Sequence, residues 1–189
     1  SFPDFVGNQF MINSDQALDL NKLPKSIAIY GSGYIAVEFA GIFNGFGVDT
    51  HIIFRADNVL RGFDNDLRQH LMTSMKQKGI TIHNNNTISE IEKNKEISKI
   101  SLSNGQELSV EMVMGATGRV PKISGLGLKN VGVQLGQRGE ILVNQLNQSN
   151  IKSIYAIGDV TDKITLTPVA ISEGHAFADR EFGGINRFI

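Results

Sequence analysis

The chain has 189 residues, no cysteine and a formal net charge of −1 at neutral pH. Its length suits one full domain and part of a second, and an apolar share of 41% is enough for a core. The missing cysteines exclude disulfides, thiolate metal sites and thiol nucleophiles within the chain. A near-neutral charge without a basic stripe argues against nucleic acid as a partner. Ser1-Phe2-Pro3-Asp4 lacks the basic and apolar regions of a signal peptide. The most apolar stretch, 27–43, is interrupted by Gly31, Gly33, Glu38 and Gly41, which excludes a membrane span. The expectation is a cytoplasmic protein with no membrane partner.

In chain order, 1–24 reads as irregular, with one short helical turn at 14–18 that Ser14 could cap. Residues 26–30 form a short apolar run ending at Gly31, the pattern of a buried strand in a parallel sheet. A helix is expected over 34–46, with Ile35, Phe39, Ile42, Phe43 and Phe46 at helical spacing as its apolar face. Residues 49–54 form a second strand. Asp64 then caps a second helix, with Leu67, Leu71 and Met75 on one side and Gly79 at its end, followed by a strand at 80–83. Strands alternating with helices imply a parallel sheet with right-handed crossovers.

After Asn84 the period changes to alternation. Short runs at 88–92, 97–102 and 106–108, the last two separated by Asn104-Gly105, predict a three-stranded antiparallel meander. Residues 110–116 read as a buried strand again. From Gly118 glycines crowd the sequence, which sets a boundary: one domain over 1–119 and a second segment over 120–189. In the latter the pattern predicts a hairpin near Gly139-Glu140, a strand at 154–157 and a helix over 168–182. The fold class is thus α/β, a Rossmann-like parallel sheet with an antiparallel meander, plus a partial further domain.

Gly31-Ser32-Gly33-Tyr34-Ile35-Ala36 fits G-x-G-x-x-A, follows a strand and opens a helix, which is the context that gives this pattern meaning. Gly31 allows the tight turn. Gly33 keeps no side chain between backbone and a pyrophosphate, and the helix start offers unpaired N–H groups. The bland alternative is a glycine-rich turn with no ligand. An NAD reader carries an acid at the end of the second strand, roughly 20 residues on. Here that slot holds Arg55, and Arg61 follows. Two guanidiniums suit a 2′-phosphate. At about 1.5–3 kcal/mol per charge-assisted bond, discounted for solvent, they favour NADPH over NADH by roughly 100-fold. The rival is that Arg61 pairs with Asp64 or Asp66 and Arg55 is merely solvated. His51, His70, His83 and His175 show no paired metal spacing, so no metal is expected, and no G-x-S-x-G nucleophile is present.

Larger blocks carry a resemblance. Residues 31–41, the run Arg55-Ala56-Asp57-Asn58-Val59-Leu60-Arg61-Gly62-Phe63-Asp64, the segment Ala116-Thr117-Gly118-Arg119-Val120-Pro121, the motif Ile154-Tyr155-Ala156-Ile157-Gly158-Asp159 and Leu166-Thr167-Pro168-Val169-Ala170 together resemble the FAD-dependent disulfide reductases. The two-arginine run points to their NADPH-using glutathione and trypanothione reductase branch. The resemblance implies that 1–119 is an NAD(P)H-binding Rossmann domain and 120–189 the returning, incomplete half of an FAD-binding domain. It implies hydride transfer from NADPH to FAD for reduction of glutathione disulfide in a homodimeric parent enzyme. Tyr34 would cover the nicotinamide pocket, and Glu38 would lie near nicotinamide and flavin, where the family pairs it with a lysine. Gly118 and Arg119 would border the dinucleotide. Asp159 would accept from a flavin ribityl hydroxyl, and Leu166 and Thr167 would present backbone to the isoalloxazine.

Each role has a plainer rival: a helix-start aromatic for Tyr34, a solvated residue for Glu38, a turn former for Asp159. The setting of Glu38 between Val37 and Phe39-Ala40 favours burial with a partner. The family's redox cysteine pair, first FAD half and interface domain have no counterpart in this chain. No catalytic residue is therefore expected here, and the chain alone is expected to be inactive. Its second segment is expected to expose Ile154, Tyr155, Ile157, Val169 and Ile171, and to be poorly ordered or to associate with another copy. The alternatives are a dihydrolipoamide-dehydrogenase-like relative, which Arg55 opposes, and a non-catalytic nucleotide-binding remnant.

Overall fold

The computed structural model describes residues 2–189. The chain divides into two compact units, Ser1–Gly118 and Arg119–Ile189. In the first, the elements run α1 (Ser14–Leu18), β1 (Ser26–Tyr30), α2 (Tyr34–Gly45), β2 (Asp49–Ile53), α3 (Asn65–Gln77), β3 (Thr81–His83), β4 (Ile88–Asn94), β5 (Ile97–Leu102), β6 (Glu107–Val110) and β7 (Met112–Gly115). A four-stranded parallel sheet has the order β3-β2-β1-β7, and β4-β5-β6 form an antiparallel sheet. This is the Rossmann-type α/β architecture with its meander.

Alternation along β1 explains the layering. Ile27 and Ile29 point to one face and pack with Phe39, Phe43, Met72 and Met75 of the helices. Ala28 and Tyr30 point to the other and pack with Ile91, Ile100 and Val110 of the meander. A strand buried on both faces has to be apolar throughout, as 27–30 is. The expected 110–116 strand is broken at Glu111. Val110 ends the meander, whereas Met112 starts a strand paired to β1, so one run serves two sheets. Residues 2–13 carry only a 3-10 turn at Asn8–Phe10 and are strapped down: Val6 bridges to Glu90 and Ile12 to Met114.

The helices bury most of the expected residues, Ile35, Phe39 and Phe43 of α2 and Leu71 and Met75 of α3, and expose the rest. In α2 the inward stripe is Ala36, Phe39, Ala40 and Phe43, while Ile42 and Phe46 are exposed. Ala36 and Ala40 let the helix approach the sheet and share the buried face with Phe39 and Phe43. In α3, Met72 and Met75 are buried and Leu67 is exposed. Asp64 caps α3 as expected, accepting from the N–H groups of Asp66 and Leu67. The cap of α1 is Asn13 and not Ser14, in a capping box with Gln16.

The second unit contains one long helix, α4 (Thr167–Glu181), and 3-10 turns at Leu128–Val131 and Gly158–Thr161. Its small core is Val133, Ile141 and Ala156. The expected hairpin is a turn with a single bridge, Leu135 to Ile141, and the expected strand at 154–157 reduces to one bridge, Tyr155 to Gln148. An apolar β-like run forms a strand only where a neighbour supplies a continuous ladder, and within this unit none does. Ile157 and Ile171 are exposed, whereas Ile154, Tyr155 and Val169 are partly covered.

Candidate functional site

The first unit holds a cleft of about 780 Å³ at the carboxyl ends of β1, β2 and β7, the edge at which open α/β sheets bind ligands. Its floor is the turn 31–33. The sheet ladder runs on past β1, with Gly31 N–H donating to Ile53 O at 2.9 Å and Ala116 N–H to Tyr30 O at 2.7 Å. Gly31 sits at φ +149° against that returning strand, and a Cβ there would collide with the Ala116 carbonyl. Gly33 is different. Its backbone is extended, and a Cβ would meet no protein atom within 4 Å. It is the N-cap of α2, and no side chain caps the helix start. The first amides of α2, those of Ile35 and Ala36 included, thus lack an intrahelical partner. The side chains of these two residues face inward, Ala36 fully buried and Ile35 packed against the core.

Arg55, Arg61 and Tyr34 line the same cleft, as does Gly118. Arg55 and Arg61 are exposed, and neither makes an ion pair among the described residues. The rival pairing of Arg61 with Asp64 or Asp66 is not formed among the described residues; Asp64 Oδ1 caps α3. Between the arginines, Val59 is fully buried and Leu60 takes a left-handed φ of +53°. Leu60 N–H donates to Ser32 O at 2.7 Å, tying this loop to the glycine turn.

Glu38 corrects the sequence reading. It is exposed, not buried with a partner, because the inward face of α2 is taken by Ala36, Phe39, Ala40 and Phe43. Arg119, Asp159, Leu166 and Thr167 lie in the second unit. Arg119 Nη2 stands 3.4 Å from Asp159 Oδ2, both side chains about half exposed. They flank a small cavity of about 190 Å³ that Lys122 and Asp162 also line. Leu166 is the N-cap of α4 and Thr167 opens it, both exposed. The Gly158 N–H, at the turn before Asp159, donates to Glu173 Oε2 at 2.7 Å, and Glu173 is buried.

Several residues escaped the sequence reading. Phe2 and Phe63 line the cleft; an aromatic in an irregular segment carries no periodic signal. His51 and His83, remote in sequence, meet across the paired strands β2 and β3, with Nδ1 of His51 3.1 Å from Nε2 of His83 and the rings stacked. The Asp49 carboxylate stands 3.5 Å from His51 Nε2. One ring nitrogen of this His51–His83 pair must donate and the other accept, the direction following the tautomer. Burial first, and the neighbouring His51 second, hold His83 below the usual histidine pKa. Among the described residues no group of three or more His, Cys, Asp or Glu is placed to hold a metal ion, and no helix is long and apolar enough to cross a membrane.

A parallel sheet with an amide-lined glycine turn at its carboxyl edge is the arrangement of the Rossmann-type class of proteins. Residues 3–174 match the pyridine nucleotide-disulphide oxidoreductase family, and the chain belongs to it. It is 47% identical over 182 residues to the glutathione reductase of Burkholderia cepacia, covering 96% of this chain and 40% of that protein. To the trypanothione reductase of Trypanosoma congolense it is 42% identical over 94% of this chain and 37% of the other. Among solved structures it resembles the HOCl-induced flavoprotein disulfide reductase RclA of Escherichia coli, with a TM-score of 0.92, 27% identity, and coverage of 100% of this chain and 44% of that one. The chain thus spans roughly two fifths of the curated relatives' length.

Proposed function

We propose that the cleft binds NADPH, and that the chain is the NADPH-binding region and part of the FAD-binding region of a glutathione-reductase-like flavoenzyme. On this reading 1–119 is the NAD(P)H domain and 120–189 the returning, incomplete FAD half. The observation that carries it is the pair of exposed guanidiniums, Arg55 and Arg61, which make no ion pair among the described residues and line the same cleft as the 31–33 turn. Two guanidiniums on one cleft are suited to bidentate, charge-assisted bonds to a phosphate. The cleft volume also falls in the range of cofactor sites.

When bound, NADPH supplies a hydride and FAD carries its electrons to a disulfide. The chain's own residues bind and orient. The amides at the start of α2, with Gly33 leaving them uncovered, hold the pyrophosphate. Arg55 and Arg61 hold the 2′-phosphate. Tyr34 covers the nicotinamide side, and Gly118 and Arg119 border the dinucleotide. The exposed Glu38 carboxylate, one turn after Tyr34, is available to a lysine supplied by the rest of the parent. Asp159, Leu166 and Thr167 serve the flavin: a half-exposed carboxylate for a hydroxyl, and backbone beside the ring. The parent acts as a cytoplasmic homodimer on glutathione disulfide. The chain by itself, with no cysteine, does not reduce the disulfide.

Calorimetric titration of Arg55→Glu tests the reading. NADPH affinity is expected to fall by roughly 100-fold with NADH binding kept or improved. Unchanged NADPH affinity in that variant would sink it.

A further inference from the structure

The loop carrying Arg55 and Arg61 is held from three sides. On one side Leu60 N–H donates to Ser32 O. On a second, Asn85 N–H donates to Ala56 O at 3.2 Å and the Asn84 side-chain amide to Asp57 O at 3.1 Å. The third anchor is Arg68, on the first turns of α3. Its Nε–H donates to Val59 O at 2.7 Å and its Nη2 to Asn58 O at 3.3 Å. Arg68 is half-buried and is not among the residues lining the cleft. The planar guanidinium thus clamps two consecutive carbonyls of the loop, a geometry a lysine's point donor cannot copy. The clamp has something to oppose: Leu60 at φ +53° is a conformation a branched side chain disfavours.

We propose that Arg68 is a positioning residue: by pinning the Asn58–Val59 segment it fixes the spacing of Arg55 and Arg61 and so sets the preference for a 2′-phosphorylated dinucleotide. This rests on the reading of the cleft as an NADPH site. Without the fork, Leu60 relaxes towards an extended backbone, Arg61 turns away from Arg55, and the two cations no longer converge on one phosphate. Leu60 is hydrogen-bonded to the glycine turn through Ser32 O, whereas the amides proposed for the pyrophosphate belong to α2, so the loss falls chiefly on the 2′-phosphate.

The test is Arg68→Met on the full chain, with two readouts. Without nucleotide, hydrogen exchange at the amides of 56–62 is expected to quicken by about tenfold while those of β1 do not change. With nucleotide, NADPH affinity is expected to drop about tenfold and NADH affinity to stay within about twofold. Unchanged exchange in the loop, or equal losses for both nucleotides, overturns the proposal. A wild-type chain that binds both nucleotides equally overturns the cleft reading itself, a failure seen before any variant is made. Arg68→Lys, which keeps a donor but not the fork, replaces Arg68→Met if the latter does not fold, with the same signs and smaller shifts.

Discussion

In both units an extended segment runs into a helical turn through glycine, and the two treat the amides and charges of that turn in opposite ways. Among the described residues no side chain caps the helix at 31–33, and the cations beside it, Arg55 and Arg61, make no ion pair. At 157–159 the buried Glu173 carboxylate accepts from Gly158 N–H. The charges around it are also paired: Arg119 with Asp159, Arg138 with Asp162 at 2.7 Å and Lys163 with Glu173 at 3.5 Å. The first turn has its amides and cations open to solvent; in the second the Gly158 amide is closed by a buried carboxylate, and the half-exposed Arg119–Asp159 pair stays within reach of a ligand. Exposed amides and cations are satisfied by water, and an anion that binds them adds stability to the folded chain. A closed turn contributes to the fold whether or not anything is bound.

The largest expected effect separates the two glycines of the open turn. Gly31→Ala pushes a Cβ into the Ala116 carbonyl, and is expected to cost about 3 kcal/mol, read by denaturant unfolding. Next is the closed turn. Glu173→Leu strips the acceptor from a buried amide and is expected to cost about 1–3 kcal/mol, whereas Glu173→Gln, which keeps an oxygen, loses little. A matching loss in Gln would mean that the charge and not the acceptor matters. Gly33→Ala comes third, since its Cβ meets only open cleft. Stability is expected to change by less than about 1 kcal/mol, while affinity for NADPH and NADH alike falls about tenfold, because the pyrophosphate is displaced. Undiminished affinity there would close the turn that the comparison calls open.

The smallest effect is a pH dependence. His83 has a lowered folded-state pKa, so the folded state binds fewer protons than the unfolded one as pH falls below about 6.5. The stability this group contributes is complete above that value and lost as pH drops through the folded pKa. Melting temperature is expected to decline on acidification below about 6.5, and His83→Gln is expected to flatten that decline. An identical profile in the variant would show that other groups set it.

The legible part of this molecule was the part written in local periodicity. The glycine spacing at 31–33, the alternation of 88–102 and the cation in place of an acid at position 55 each depend on neighbours a few residues apart. What depends on distant approaches was not legible. Gly31 is required because Ala116 returns beside it, and Tyr30 to Ala116 is a long-range pairing. Glu38 was misjudged because the residues beside it in sequence face a different side of the helix. Arg68 reads as an ordinary helix-surface cation until the Val59 carbonyl is found next to it. The run 154–157 carries strand character in its residues and lacks a neighbour to realise it.

The central claim, that the open turn and its two free cations select a 2′-phosphate, is tested most directly without the nicotinamide. Titration of the chain with 2′,5′-ADP and with 5′-AMP compares ligands that differ only in that phosphate. The account predicts affinity about 100-fold higher for the bisphosphate, shrinking as salt is raised. Equal affinities for the two would contradict it.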